Sequence, residues 1–313
     1  MGTAEILRRI GQALVVLLVT FTLAFILLSA LPGDAVTARY SSPDLGLSPE
    51  QIEEIRQSYG ADETLLAQYF HTLGGFLVGN FGYSVQTGTA VSTMIAEALP
   101  GTLALAVLAF ALAVILALGI SILATLDRFA WIRSVFQMLP PLFISLPSFW
   151  LGIILIQIVS FRLGWVPVIG TSTAQALILP TITLSVPIAA PLAQVLIRSI
   201  EEVKGQPFIA AVRARGAGEM WVFFRNILRN ALLPTLTIAG IVFGELVGGA
   251  VVTEAVFGRA GIGAMTVAAV ANRDMPVMLA IVVIAAAVYV LINLIVDLLY
   301  PVLDARLRRR ERA

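Results

Sequence analysis

Residues 206–237, QPFIAAVRARGAGEMWVFFRNILRNALLPTLT, decide how the rest of the chain is read. They form a basic, partly amphipathic segment between two strongly apolar stretches. Pro207 suits the first turn of a helix and Gly216 its left-handed end. Between them Phe208, Ile209, Ala211 and Val212 supply an apolar side. Arg213 and Arg215 fall in the last turn, where cations complement the helix dipole. A second amphipathic stretch follows, with Trp221, Phe223, Phe224, Ile227 and Leu228 apolar and Arg225 and Arg229 charged, and it runs into Pro234. On residue chemistry alone, this pair of helices suits either an anionic lipid surface or a soluble protein that docks on the loop.

The flanks place the loop in a membrane protein. The chain of 313 residues is 59% hydrophobic and 12% charged, with a mean hydropathy of +0.95; a soluble domain carries about 25% charged residues. Six stretches, near residues 10–31, 100–125, 134–160, 176–197, 232–253 and 277–299, are long and apolar enough to cross roughly 30 Å of hydrocarbon. With both termini cytoplasmic, the inside segments hold Arg8, Arg9, Arg128, Arg133, Arg198, Lys204, Arg213, Arg215, Arg225, Arg229, Arg306, Arg308, Arg309, Arg310 and Arg312. Only Arg39, Arg56, Arg162, Arg259 and Arg273 fall outside. The positive-inside rule selects this topology over its inverse. The first apolar run exceeds a signal-peptide core and meets Pro32-Gly33-Asp34 without a small-residue cleavage site, so it reads as a retained helix. No cysteine occurs, which excludes disulfides and cysteine-based metal sites.

The longest polar segment runs from Pro32 to Leu99 and is acidic, with Asp34, Asp44, Glu50, Glu53, Glu54, Asp62, Glu63 and Glu97. Ser48-Pro49-Glu50 opens one helix there, with Ser48 as N-cap, and Thr64–Leu77 reads as another. The segment is a small helical extracytoplasmic cap. Pro140, Pro141 and Pro147 in the third span and Pro180, Pro187 and Pro191 in the fourth imply helices bent around a cavity, or tolerated packing irregularity. In the fifth span, Gly240, Gly244 and Gly248 recur at intervals of four and put one smooth face toward a second helix, of this chain or of another subunit. Glu245 lies among them. An ionisable group at that depth faces a translocation path or its outer gate, or hydrogen-bonds across the glycine interface. Asp297, near the end of the sixth span, is explained by solvation or a nearby arginine.

The motif AVRARG at 211–216 followed by Pro234 resembles the cytoplasmic coupling loop of ABC-importer permeases, in the dipeptide/oligopeptide/nickel family. The resemblance extends along nearly the whole chain. Leu31-Pro-Gly-Asp34 follows the first span, Gly79-Asn-Phe-Gly82 ends the cap, and Ser145-Leu-Pro-Ser-Phe-Trp-Leu-Gly152 lies in the third span. Leu163-Gly-Trp-Val-Pro167, Arg229-Asn-Ala-Leu-Leu-Pro234, Glu254-Ala-Val-Phe257 and Asn293-Leu-Ile-Val-Asp-Leu-Leu299 complete the series. Two departures stand out: Gly258-Arg-Ala-Gly261 replaces the usual Trp-Pro-Gly, and Pro207-Phe208 replaces an Asp-aromatic pair.

The resemblance implies an all-α type I importer permease with six membrane helices. It divides into an N-terminal helix (1–31), the cap (32–99) and a core permease domain (100–313) that carries the coupling loop (198–231). Gln206, Phe208, Ala210, Ala211, Arg213, Ala214, Arg215 and Gly216 are then the ATPase-coupling residues. Pro147, Phe149 and Glu245 fall on the translocation path or gate. The implied partners are a homologous permease, two ATP-binding subunits that hold ATP and Mg, and an extracytoplasmic solute-binding protein. Membrane lipid surrounds the assembly and no nucleic acid is involved. The substrate implied is a di- or oligopeptide, with nickel or a metal chelate as the alternative.

What the chain lacks agrees with a non-enzymatic subunit. A phosphate loop needs GxxxxGK[ST], and the only lysine, Lys204, stands between Val203 and Gly205. His71 is the only histidine and reads as a solvated surface group, so no familiar zinc site or Ser-His pair can be assembled and no bound metal or cofactor is expected. An ion-coupled secondary transporter would carry several membrane carboxylates and inverted repeats; one carboxylate and no repeat weigh against it. A scaffold that recruits a soluble partner without transport is the other rival.

Overall fold

The computed structural model describes residues 3–30, 48–58, 64–125, 129–168 and 174–303, the side chains of 3–6, 52, 55–58, 247 and 295–303 excepted. The Leu31–Asp34 motif, Arg39, Asp44, Asp62, Glu63, Arg128, the five C-terminal arginines and the side chains of Arg56 and Asp297 therefore lie outside the described residues. Within them the fold is helical, and the one β pairing described is an isolated antiparallel bridge between Tyr83 and Ala90.

Five runs cross a bilayer by length and composition. They are α1 (Thr3–Ser29), α4 (Val91–Ala124), α7 (Gln175–Lys204), a continuous run from Glu219 into α10 (Arg229–Val256), and α12 (Met275–Leu303). The stretch near 134–160, read from sequence as one span, is instead a pair. Helix α5 (Ala130–Ser145) and helix α6 (Ser148–Leu155), the latter extended by a π-helical segment (Ile156–Arg162), meet at 104°. The break falls at Leu146-Pro147, both in extended backbone. A residue before proline is pushed out of the helical region, so the chain turns there. Pro140 and Pro141 stay inside α5. Helix α7 also continues through Pro180, Pro187 and Pro191. It is buried on several sides, and that packing holds the axis where ladder bonds are missing.

The chain divides into two compact units, with boundaries inside α4 and α12. The unit of residues 103–258 and 291–313 is built around α7, which packs against α5, α6 and α10. Its main core joins Leu105, Ala109, Ala113 and Ala117 of α4 to Leu184, Ile188 and Leu192 of α7 and Val242, Leu246 and Ala250 of α10. Small residues let the helices approach closely: a Cβ added to Gly249 would lie 2.9 Å from Leu184 Cδ1.

The unit of residues 2–102 and 259–290 contains α1, α2 (Pro49–Ser58), α3 (Leu65–Leu77), α11 (Ile262–Ala271) and the first part of α12. Ser48 caps α2 as expected, in a reciprocal arrangement: its Oγ accepts from Gln51 N at 3.3 Å and its N donates to Gln51 Oε1 at 2.9 Å. Asp274 is buried at the entry to α12 and accepts hydrogen bonds from Ser84 Oγ and the backbone N–H groups of Val85 and Gln86, pinning the 82–90 turn. Thr102 Oγ1 accepts from Ile262 N at 2.9 Å and satisfies the start of α11.

Candidate functional site

Helix α8 (Pro207–Ala214) forms where the sequence placed it, with Pro207 at its first turn and Gln206 as an extended N-cap. Gly216 takes φ +84°, and its N–H donates to Arg213 O at 2.9 Å, closing the helix in a left-handed turn that disfavours a side chain. The apolar side differs from the expected one. Ile209 is fully buried and Val212 half-buried against Leu196, Ile200, Val222, Ile227 and Ala231, whereas Phe208 and Ala211 face outward. Residues three apart share a helix face, so 209 and 212 pack inward together while 208 and 211 lie on a neighbouring, uncovered face. Gln206, Phe208, Ala210, Ala211, Arg213, Ala214, Arg215 and Gly216 are all exposed. The helix is thus anchored by one narrow edge and offers small, basic and aromatic groups on the rest.

The second stretch starts as α9 (Glu219–Val222) and becomes a π-helical segment (Phe223–Leu228) before α10. The wider turn matters. In a π-helix the hydrogen bonds run five residues along, so Val222 and Ile227 come to one face, and both are buried. Trp221 and Phe224, expected on the apolar face, remain exposed with Met220. The exposed side of the loop is therefore an apolar and cationic surface. Arg213 is paired with Glu219 at 2.9 Å, an exposed contact that adds at most about 1 kcal/mol.

Glu245 is exposed on α10, in a line with Thr237, Ile241, Gly248, Val252 and Ala255. Spacings of three and four put these residues on one face, opposite the side that meets α7. Gly240 is buried, Gly244 half-buried and Gly248 exposed, with nothing within 4 Å of where its Cβ would be. The neighbouring Gly249 makes a tight approach to Leu184 of α7. Pro147 and Phe149 are exposed at the break between α5 and α6. Glu254, by contrast, is fully buried. His71 is exposed on α3.

Two family models together match almost the entire chain: the N-terminal part of the binding-protein-dependent transport system membrane component over residues 3–106, and the inner membrane component itself over residues 117–309. The chain belongs to the binding-protein-dependent transport system inner membrane component family. It is a multi-pass membrane permease and not an enzyme. Among its relatives, the glutathione transport system permease protein GsiC of Escherichia coli (strain K12) is 33% identical over 303 residues, covering 97% of this chain and 98% of that one. The probable peptide ABC transporter permease protein y4tP of Sinorhizobium fredii is 36% identical over 313 residues, with the same coverages. Solved structures share the fold. An inward-facing MetNI methionine ABC transporter matches with TM-score 0.57 at 22% identity, over 67% of this chain and 96% of that one. An amino acid ABC transporter matches with TM-score 0.54 at 17% identity, over 67% and 94%. The permease is therefore of the type I importer fold.

The permease also contains a polar clamp that no local pattern announced. Arg133 of α5 pairs with Glu201 of α7 at 3.0 Å, and Gln137 donates both to Glu201 Oε1 at 3.4 Å and to Ala124 O of α4 at 3.3 Å. Lys204 donates to Thr125 O beyond the end of α4. The clamp holds the helix ends immediately before α8, so that helix is carried on a braced support. Its members stand up to 79 residues apart, and pairing at that separation has no sequence signature.

Proposed function

We propose that this permease forms half of the translocation path of an ATP-driven importer for di- and oligopeptides, with both termini cytoplasmic. The observation that carries this reading is helix α8. It spends one edge on its own scaffold and leaves Gln206, Phe208, Ala210, Ala211, Arg213, Ala214 and Arg215 uncovered. A basic, small-residue surface held this rigidly suits a groove on an ATP-binding subunit. Two such subunits, with ATP and Mg, would drive alternating access through loop 198–231, and a homologous second permease would complete the path. A solute-binding protein would deliver substrate from outside. In the domain reading, helix 1–31 and cap 32–99 precede a core of 100–313.

The peptide substrate is supported by the relatives, whose names specify glutathione and peptide transport. Glu245 lines the path in this reading: a carboxylate on an uncovered helix face within the bilayer is costly against lipid and is retained where a cavity or a partner subunit meets it. Pro147 and Phe149 border the same route at the helix break.

The test is uptake of labelled dipeptide, glutathione and nickel in a strain lacking only this chain, with plasmid rescue, together with affinity purification of the rescued protein. Peptide uptake should vanish and return, and an ATP-binding protein should co-purify. Loss of nickel uptake alone would replace the substrate class. Absence of any ATP-binding protein would remove the coupling reading of α8.

A further inference from the structure

Helix α3 (Leu65–Leu77) belongs to the polar segment between the first two spans, yet its sequence, LLAQYFHTLGGFL, contains no acidic residue and no Lys or Arg. Its side chains fall into three sectors. Tyr69, Leu73 and Phe76 pack on Phe21, Ala24 and Phe25 of α1 and on Leu279 and Val283 of α12. Leu66, Phe70 and Leu77 lie on an adjoining face and are 65–80% exposed. Ala67, Gln68, His71, Gly74 and Gly75 make up the remaining small and polar sector. We propose that α3 is not part of a water-exposed cap but lies in the plane of the membrane. Leu66, Phe70 and Leu77 sit among the acyl chains, and His71 stands at headgroup level.

The depth of α3 carries the argument. The apolar run of α1 ends at Ser29, and Phe21 lies eight residues before that end, about 12 Å into the span at 1.5 Å per residue. From the other side, α12 begins at Met275 directly after Arg273 and Asp274, and Leu279 and Val283 lie roughly 6 and 12 Å along it. Both rulers put the partners of α3 inside the outer half of a hydrocarbon layer roughly 15 Å deep per leaflet. At that depth the next face of α3 stands beside the acyl chains, as an in-plane placement requires. Large apolar side chains of α1, among them Leu23, Ile26 and Leu27, are likewise exposed within the span.

The polar groups of α3 are handled as a dry setting requires. The Tyr69 hydroxyl is paired with Thr22 Oγ1 of α1 at 2.8 Å, and Thr72 Oγ1 donates back to Gln68 O at 2.7 Å. A helix with a packed side, an apolar side and a small polar side is the arrangement of an in-plane interfacial helix. The proposal rests on the membrane placement of the family and not on the peptide substrate.

The absence of native cysteine makes the test direct. Nitroxides would be attached singly at Leu66→Cys, Phe70→Cys, Leu77→Cys and His71→Cys in the full chain, purified with its co-assembling subunits and placed in phosphatidylethanolamine–phosphatidylglycerol nanodiscs. Leu27→Cys provides the lipid reference and Thr89→Cys the aqueous one. The ratio of collision with oxygen to collision with a water-soluble nickel chelate should match the lipid reference at 66, 70 and 77, several-fold above the aqueous one, with 71 between them. Ratios at 66, 70 and 77 equal to the aqueous reference would overturn the proposal. So would labels there that are mobile in lipid and become immobile only when a soluble extracytoplasmic binding protein is added, which would make the face a protein-docking surface.

Discussion

Replacing Ile209 by alanine tests whether α8 is held by its buried edge. The side chain is fully buried among Leu196, Ile200, Val222, Ile227 and Ala231, so three carbons would be lost from a packed site. At about 0.8 kcal/mol per methylene the transfer loss is about 2.4 kcal/mol, before any cavity term. Helix α8 lies between the crossing runs that end at Lys204 and begin at Glu219, so burial from water is the driving force for this side chain, unlike helix contacts inside lipid. At 1.4 kcal/mol per decade, local opening of α8 should become roughly 50-fold more frequent. Hydrogen exchange of the amides of residues 211–216 reads this directly, because Arg215 N and Gly216 N are bonded to Val212 O and Arg213 O only while the turn is closed. Uptake should fall while membrane insertion is retained. Phe208→Ala, on the uncovered face, should leave exchange unchanged and weaken docking alone. Exchange in Ile209→Ala that rises by less than about threefold would show that the buried edge is not what positions the helix.

Gly216→Ala meets no steric neighbour, so its cost is the left-handed backbone alone, about 1–2 kcal/mol; thermal melts and uptake should both decline, with Asn in its place milder than Ala. Gly249→Val should lower the melting temperature of the purified chain, because a Cβ added there would lie 2.9 Å from Leu184 Cδ1 and overpacking costs about 1–3 kcal/mol, whereas Gly248→Ala should leave that melt unchanged. If Gly248 faces a second permease, a bulkier Gly248→Leu will reduce recovery of the pair on co-purification while the single chain stays stable. Asp274→Ala strands the N–H groups of Val85 and Gln86 and the Ser84 hydroxyl, and should loosen the 82–90 turn by about 1–3 kcal/mol; unchanged proteolysis at that turn would show that the carboxylate is dispensable.

Much of this protein was legible before any fold was known, for reasons that are local. Apolar length determined the spans, and Pro207 and Gly216 bounded α8, since a ring-locked φ and a missing Cβ act on the backbone at the residue itself. Ser48 likewise announced the start of α2. The family was readable because its motifs keep their order along the chain.

The tertiary structure decided which side of each element is covered. Six prolines looked alike in sequence, yet the chain breaks at Pro147 while α7 stays one continuous helix through its three, where packing around α7 compensates for the missing bonds. The π-helical turn brought Val222 and Ile227 to one face and left Trp221 and Phe224 outside, against the expectation of a regular helix. Gly249, not Gly248, took the close contact with α7. Segment 32–99 read as an acidic cap because charge was averaged along it, although α3 packs against membrane helices and carries no acidic, Lys or Arg residue. Sequence by itself determined how much of this chain is apolar and where its helices start. Only the fold determined what each apolar face touches, because neither hydrophobicity nor helical spacing names the surface that will cover it.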